Sequence, residues 1–398
     1  MWLKNTLEEV STFISRGISP KYIEKGGIRV LNQKCIRNHV INYDLARRHN
    51  FELKKFSEDR FIKKGDVLIN STGQGTLGRV AQVREDPKEL TTVDSHITIV
   101  RPKEELFYLE YFGYSAIAIE KIIKNYGQGA SGQTELAKSK VQNELEISFP
   151  ISLKKQKNIV AKLDAAFFDF NNLISLVNNE LDSLENLSKK YLNNSITKKS
   201  ENDYSRTLKD IAKFLDYRGK TPLKAKKGRR LLTAKNVRMG YLKTFPEEFV
   251  SEEEYQNHMV RGLPEVGDVV FTTEAPLGLV AQIEDKNVAL GQRLITFQIL
   301  DDIMKNTYLK FVLMSEKYQK EIQRKGTGAT VKGIKAKLLK EIKITYPFSL
   351  EEQEKRIKSI EEFEKNISEL KSTLSRKLLC YESLKASLLF HELQSNSI

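Results

Sequence analysis

Cysteine is almost absent from this 398-residue chain, which has only Cys35 and Cys380. Two isolated thiols build neither a disulfide framework nor a thiolate metal cluster, and their scarcity fits a reducing cytoplasm. The five histidines (His39, His49, His96, His258, His391) show no metal-ligand spacing. No apolar run reaches the ~18 residues that a membrane span needs, and Glu8 and Glu9 fall where a signal peptide would have its apolar core. The chain also lacks a Walker loop, a G-x-S-x-G elbow and an N/D-P-P-Y/F amino-methylation motif. These absences predict a cytoplasmic chain that touches no membrane, is not itself an enzyme, and holds no metal or cofactor.

What is present is length, apolar content and positive charge. The length suits two or three domains, and 40% hydrophobic residues exclude a disordered chain. The formal charge of +14 is unevenly placed: residues 1–150, 151–199, 200–349 and 350–398 carry +4, +3, +8 and −1. Within the third segment, residues 220–235 hold seven basic side chains and no acidic one. Such a run suits phosphate contacts, with a solvated loop as the plain alternative.

The sequence repeats once, with a period of about 200 residues. Phe13-Ile14-Ser15-Arg16-Gly17 returns as Phe214-Leu215-Asp216-Tyr217-Arg218-Gly219, and Gly65-Asp66-Val67-Leu68 as Gly267-Asp268-Val269-Val270. Leu77-Gly78 with Val80-Ala81-Gln82 returns as Leu277-Gly278 with Val280-Ala281-Gln282, and Gly127-Gln128-Gly129-Ala130 as Gly326-Thr327-Gly328-Ala329. Phe149-Pro150-Ile151-Ser152-Leu153 with Gln156 returns as Tyr346-Pro347-Phe348-Ser349-Leu350 with Gln353. Residues 65–83 and 267–283 read as hairpins, 96–100 and 293–299 as strands, and 104–124 and 302–325 as helices.

Each copy ends in a long amphipathic stretch. Leu163, Phe170, Val177, Leu184 and Tyr191 recur every seventh residue, with Ala166, Leu173 and Leu187 between them. Ile360, Ile367, Leu374, Tyr381 and Leu388 do the same, with Phe363, Leu370 and Leu384 between. This is the 3-4 spacing of a helix with one apolar seam. The expected architecture is therefore α+β (mixed α/β), with globular units at 1–150 and 200–349. Long helices at 151–199 and 350–398 would pair as an antiparallel coiled coil.

Motifs for catalysis are weak. Gly73, Gly75, Gly78 and Gly127, Gly129, Gly132 match G-x-G-x-x-G, but the first precedes a strand, where a dinucleotide site needs a helix. Glu341-Ile342-Lys343 resembles the tail of a metal-dependent nuclease site, yet its repeat partner Glu144-Leu145-Glu146 has no lysine, so an ordinary strand is the simpler reading. DNA-binding chemistry remains. Basic residues at matching places (Arg29/Arg230, Lys34/Lys235, Arg37/Arg238) suit a shared phosphate or scaffold role. Loop positions that differ between copies suit base readout. These are Ser71, Thr72 and Gln74 against Thr273 and Glu274, Ser95 and His96 against Arg293, and a third loop holding Thr330 and Lys332.

The layout resembles the specificity subunit of Type I restriction–modification systems across essentially the whole chain. The resemblance rests on the alternation of globular unit and helix, the repeated Gly-Asp-Val…Leu-Gly-x-Val-Ala strands, and the two Pro-x-x-Leu-x-x-Gln-like junctions. There Ile151 and Phe348 stand where the family has a second proline. It implies two target-recognition domains, each reading half of a bipartite, asymmetric site in double-stranded DNA. It also implies helices that set the gap and dock two modification (methyltransferase) subunits, with restriction subunits beyond them. S-adenosylmethionine, ATP and Mg would then sit on those partners. A free-standing DNA-binding nuclease and a coiled-coil scaffold without nucleic acid are the competing readings.

Overall fold

The computed structural model describes residues 1–126, 135–219, 221–328 and 331–394. Its chain divides into two compact units, Met1–Val177 with Arg376–Ile398, and Asn178–Ser375. The division falls inside two helices of 45 residues each, Leu153–Thr197 (the central helix) and Leu350–Gln394 (the C-terminal helix). None of the described helices is long and apolar enough to cross a membrane.

In the first unit, Val67–Asn70 and Val80–Gln82 form the expected hairpin. Ile97–Pro102 and then Ser11–Arg16 extend it to a four-stranded antiparallel sheet. Side chains alternate across a strand, and here both faces are buried. Val67, Ile69, Val80 and Val100 face the helix Leu109–Ala118 and the start of the central helix, through Tyr111, Phe112, Val160 and Leu163. Leu68, Ala81, Ile97 and Ile99 face a second sheet through Leu31 and Val93, with Ile36 of a separate short ribbon in the same cluster. That second sheet runs Thr91–Val93, Ile28–Leu31, Arg47–His49, Tyr22–Ile23, its first pair parallel.

The second unit repeats the plan. Ala212–Asp216, Leu294–Ile299, Val269–Thr272 and Val280–Gln282 make the antiparallel sheet. Val269, Phe271 and Phe297 face helices on one side, and Val270, Ala281 and Leu294 face Leu231, Val250 and Leu290 on the other. A short ribbon closes each domain: Trp2–Thr6 pairs with Glu146–Pro150, and Asp203–Thr207 with Lys343–Pro347. The helices expected as single stretches are each broken, into Leu109–Ala118 and Glu120–Tyr126, and into Asn306–Met314 and Glu316–Lys325. At the second break Ser315 takes an extended backbone and its hydroxyl donates to the carbonyl of Val312 at 2.7 Å.

A buried glutamine joins each domain to its helix. Gln156 accepts from the Tyr108 N–H at 2.8 Å and donates to the carbonyls of Leu106 and Pro150, both at 2.9 Å. Gln353 accepts from the Lys305 N–H at 2.9 Å and donates to Ile303 and Pro347 at 3.2 and 2.9 Å. Neither has any exposed surface. These bonds supply the physical reason for the repeated Pro-x-x-Leu-x-x-Gln spacing: the proline carbonyl and the glutamine amide meet across the first turn of the helix.

The helices pair antiparallel. In the first unit Asn171 accepts from Lys385 at 2.8 Å and Lys162 lies 3.8 Å from Glu392. In the second, Tyr191 stacks on Phe363 with centroids 3.8 Å apart, and Lys371 donates to Glu185 at 2.6 Å. Leu163, Val177, Ile360 and Ile367 are buried in the seam, and Phe170, Leu184, Tyr191, Leu374, Tyr381 and Leu388 are half-buried. Of the residues expected between them, Ala166 and Phe363 are half-buried, but the four leucines differ. Leu173, Leu187, Leu370 and Leu384 are 37%, 48%, 52% and 49% exposed. The next position along closes the seam in their place, with Ile174, Leu181, Lys371, Leu378 and Lys385 half-buried. Long lysine stems cover apolar surface while their ammonium groups stay wet.

Arg356 ties the segment between the two repeats to its unit. It is 7% exposed and donates to the carbonyls of Ser195 and Lys198, the hydroxyl of Ser200 and the carboxylate of Glu352, at 2.6–3.3 Å. Arg356→Met is expected to cost about 2–3 kcal/mol, because methionine cannot replace the charge-assisted bonds to the part-buried carbonyls of Ser195 and Lys198. A urea titration measures it.

Candidate nucleic-acid interface

Four segments meet at one end of each large sheet. In the first domain the Ser71 N–H donates to the carbonyl of His96, and the Leu136 N–H to the carbonyl of Ser71, both at 2.8 Å. Thr72 forms a β-bridge with Glu135. Arg16, at the end of its strand, donates to Glu135 at 2.6 Å and to the carbonyl of Leu136 at 2.7 Å. The second domain builds the same frame. Thr273 N–H meets the carbonyl of Arg293 at 2.8 Å, Ile334 N–H meets that of Thr273 at 2.9 Å, and Glu274 bridges to Gly333. Arg218 donates to Ile334 and grips Asp216 through two nitrogens. Burial raises the cost of charging Asp216, but the Arg218 bonds outweigh it and hold the carboxyl below its usual range. Two of the loop pairs expected to read DNA, at Ser71–Thr72 with His96 and at Thr273–Glu274 with Arg293, therefore converge, and in the second domain the described part of the third loop joins them at Gly333 and Ile334.

Arg16 and Arg218 were not among the expected site residues. Their signal was present in the repeated Arg-Gly at 16–17 and 218–219. The glycine at position 17 is needed because any Cβ there would collide with the carbonyls of Val93 and Asp94.

The frame sorts the expected readers. Ser71 and Thr273 are buried, with the Ser71 hydroxyl on Thr98 at 2.6 Å and that of Thr273 on the Arg293 carbonyl at 3.2 Å, so both hydroxyls are used inside the domain. They hold the frame and do not reach a base edge. Thr72, Gln74, Ser95, His96, Glu274, Arg293 and Lys332 reach the surface. Thr330, and Gly127, Gly129 and Gly132, lie outside the described residues. The first glycine motif is a turn: Gly73, Gly75 and Gly78 all have positive φ. Arg79 donates to the carbonyls of Gly75 and Ile36, and Thr76 to Gln33, bracing that turn.

Of the matching basic residues, Lys34 and Arg37 are exposed. Arg29 is ion-paired with Glu89, which also takes Arg48. Arg230 donates to the carbonyls of Lys243 and Thr244, and Arg238 to those of Lys235 and Val237. Lys235 lies 3.5 Å from Glu248. Arg29, Arg230 and Arg238 thus have the scaffold contacts that were one half of the expectation.

The second domain's end opens on a cleft of about 510 Å³, lined by Arg218, Thr273, Glu274, Gln292, Arg293 and Lys335. Glu341 lies in ion-pairing range of Lys209, 2.8 Å away, and Lys343 begins the strand Lys343–Pro347, as the plain-strand reading expects. Among the described residues no group of His, Cys, Asp and Glu is placed to hold a metal ion. The arrangement presents different donors and acceptors on one rigid main-chain frame, which is what reading base edges requires.

The family model for the Type I restriction modification DNA specificity domain matches twice, at residues 2–186 and 200–379. The Type I restriction enzyme MjaVIII specificity subunit of Methanocaldococcus jannaschii is 26% identical over 349 residues, 80% of this chain and 76% of the relative. A chain solved in work on complex assembly and conformational transition of the type I R-M system aligns at TM-score 0.75 and 16% identity, over 98% of this chain and 97% of that one. The HsdS subunit from Thermoanaerobacter tengcongensis aligns at 0.50 and 17%, over 99% and 96%. At such identities the two structures speak for the fold, while the two family matches cover both copies of the repeat. The chain belongs to the Type I restriction modification DNA specificity family and carries that domain twice.

Proposed function

We propose that this chain is the sequence-reading subunit of a Type I restriction–modification complex, each domain reading one half of a bipartite, asymmetric site in double-stranded DNA. The observation that carries this reading is the shared frame with unlike side chains. The same main-chain bonds set Thr72 and His96 in one copy and Glu274 and Arg293 in the other. One fold so decorated reads two different short sequences. The chain itself performs no chemistry and works in the cytoplasm. S-adenosylmethionine, ATP and Mg belong to its partners, which are two modification subunits and, through them, restriction subunits.

The exposed leucines support two identical partners. The register that sets Asn171 by Lys385 also sets Leu173 by Leu384 in the first unit, and the register of Glu185 with Lys371 sets Leu187 by Leu370 in the second. Leu173 and Leu370 hold equivalent places in the repeat, as do Leu187 and Leu384. Each unit thus offers one copy of the same apolar patch beside the seam. Solvent-exposed apolar pairs at repeated positions are the mark of a docking surface used twice.

Replacing residues 1–150 by the corresponding domain of another family member tests the reading. Methylated adenines mapped in cells that carry the hybrid and its modification partner should show one changed half-site and one unchanged. An unaltered motif would sink it. DNA affinity should also fall steeply between 50 and 200 mM salt, as phosphate contacts release counterions.

A further inference from the structure

Each recognition end has one pair of side chains that meet across the same two loops. In the first domain Thr72 Oγ1 and His96 Nδ1 are 2.6 Å apart. In the second, Glu274 Oε1 and Arg293 Nε are 3.1 Å apart. The positions correspond through the frame, since Ser71 N–H binds the carbonyl of His96 as Thr273 N–H binds that of Arg293. The chemistry does not correspond: a hydroxyl and an imidazole in one copy, a carboxylate and a guanidinium in the other.

We propose that Arg293 reads a guanine in the half-site of the second domain and that Glu274 is the residue that positions it; this rests on the recognition reading above. Glu274 holds the guanidinium at Nε, so the free edge of the fork is the Nη1–Nη2 pair. Two parallel donors match two adjacent acceptors. In the major groove only guanine offers these, as O6 and N7, whereas an A·T pair separates its acceptors with the adenine amino group. The first domain has no fork at this place, so its half-site is read there by different chemistry.

Three further observations make Arg293 a held reader and not a loose surface cation. Its backbone lies at φ 67°, in the left-handed region that side chains other than glycine rarely adopt. That conformation is pinned because its carbonyl accepts from both the N–H and the hydroxyl of Thr273, at 2.8 and 3.2 Å. Backbone held in such a region clusters at working sites. Gly333 passes beneath Glu274, where a Cβ would lie 3.2 Å from the Glu274 Cβ. Glu274 therefore stands on a close-fitting floor, with the open cleft beside it.

The test uses the full chain with its modification partner, methylating a randomised DNA library whose modified sites are sequenced. Wild type must return a bipartite motif; if it returns none, the recognition reading itself fails. With the motif known, Arg293→Ala and Arg293→Lys should relax one G·C position in one half-site from about tenfold discrimination or more to under about threefold, because lysine keeps the charge but not the fork. The other half-site should not change. Glu274→Ala should weaken the same position by an intermediate amount, and Glu274→Gln, which keeps an acceptor for Nε, should restore it. Melting temperatures matched to wild type separate these effects from misfolding. An Arg293→Ala motif that is unchanged, or relaxed at an A·T position, overturns the guanine assignment. Glu274→Ala as sharp as wild type, or Glu274→Gln as weak as Glu274→Ala, overturns the positioning role.

Discussion

With Leu173 and Leu384 both replaced by glutamate, the chain is expected to fold as before and, on the function proposed above, to bind one modification subunit instead of two. Both leucines are already exposed in the free chain, so the change should alter stability by no more than about 0.5 kcal/mol. In the complex each would be buried. Completing the burial of two leucines that are 37% and 49% exposed is worth about 1–2.5 kcal/mol together, and a carboxylate in place of each adds a desolvation cost that nothing offsets. Together these predict a loss of at least about 100-fold in affinity at that patch. Sedimentation or native mass spectrometry reads the stoichiometry. The matching pair, Leu187→Glu with Leu370→Glu, should cost the other partner, and all four changes should leave none. A double variant that still holds two modification subunits would show that the leucines are not the docking surface.

Arg101→Leu should destabilise the first domain by about 3–5 kcal/mol. Arg101 grips Asp66 with Nε and Nη2, both at 2.8 Å, and the Asp66 side chain has no exposed surface. Burial holds the Asp66 carboxyl above its usual range, with Arg101 pulling it back. Without the arginine the folded-state pKa climbs further. A raised folded-state pKa leaves folding unopposed below the unfolded value, about 3.9. The opposition then grows as pH rises from there toward the folded value. The deficit of Arg101→Leu should therefore shrink between pH 7 and pH 5. The second domain supplies the control. Its equivalent carboxylate, Asp268, is served by Gln298 at 2.8 Å. Arg101→Gln should accordingly cost under about 2 kcal/mol, since an amide can donate to a buried carboxylate in this frame. Denaturant titrations of the three proteins at both pH values decide it. Equal losses for leucine and glutamine would show that the charge alone matters.

The parts of the fold visible in sequence are those where local chemistry leaves few choices. Val67–Asn70 and Val80–Gln82 announce a hairpin because Gly73, Gly75 and Gly78 supply the positive φ that a tight reversal needs. The helix seam was visible through its seventh-residue spacing, but its second row was not. A residue three positions along and one four positions along both lie beside a seam residue, and only the partner decides which is covered. Leu370 and Leu384 are apolar yet exposed, while Lys371 and Lys385 are charged yet half-buried. The site was legible as a set of loops and not as a set of side chains. Ser71 and Glu274 both sit in loops that differ between copies, and no local pattern says that the first turns inward to Thr98 while the second turns out to Arg293. Arg16 and Arg218 escaped for the opposite reason: they are the same in both copies, and attention to difference passes over what holds the differences in place.

The glutamines at 156 and 353 have a consequence for how such a protein changes over time. Every bond they make to the domain ends on main-chain atoms, the carbonyls of Leu106 and Pro150 and the N–H of Tyr108 in one case, Ile303, Pro347 and Lys305 in the other. Main-chain groups are the same whatever side chain they carry. This hydrogen-bonded joint is therefore blind to the side chains of what it holds, and a foreign domain of the same fold could keep it on either helix, with only the contacts further along, such as Tyr114 on Asp164, left to match. Recombination can replace a reader wholesale while the fitting stays as it is.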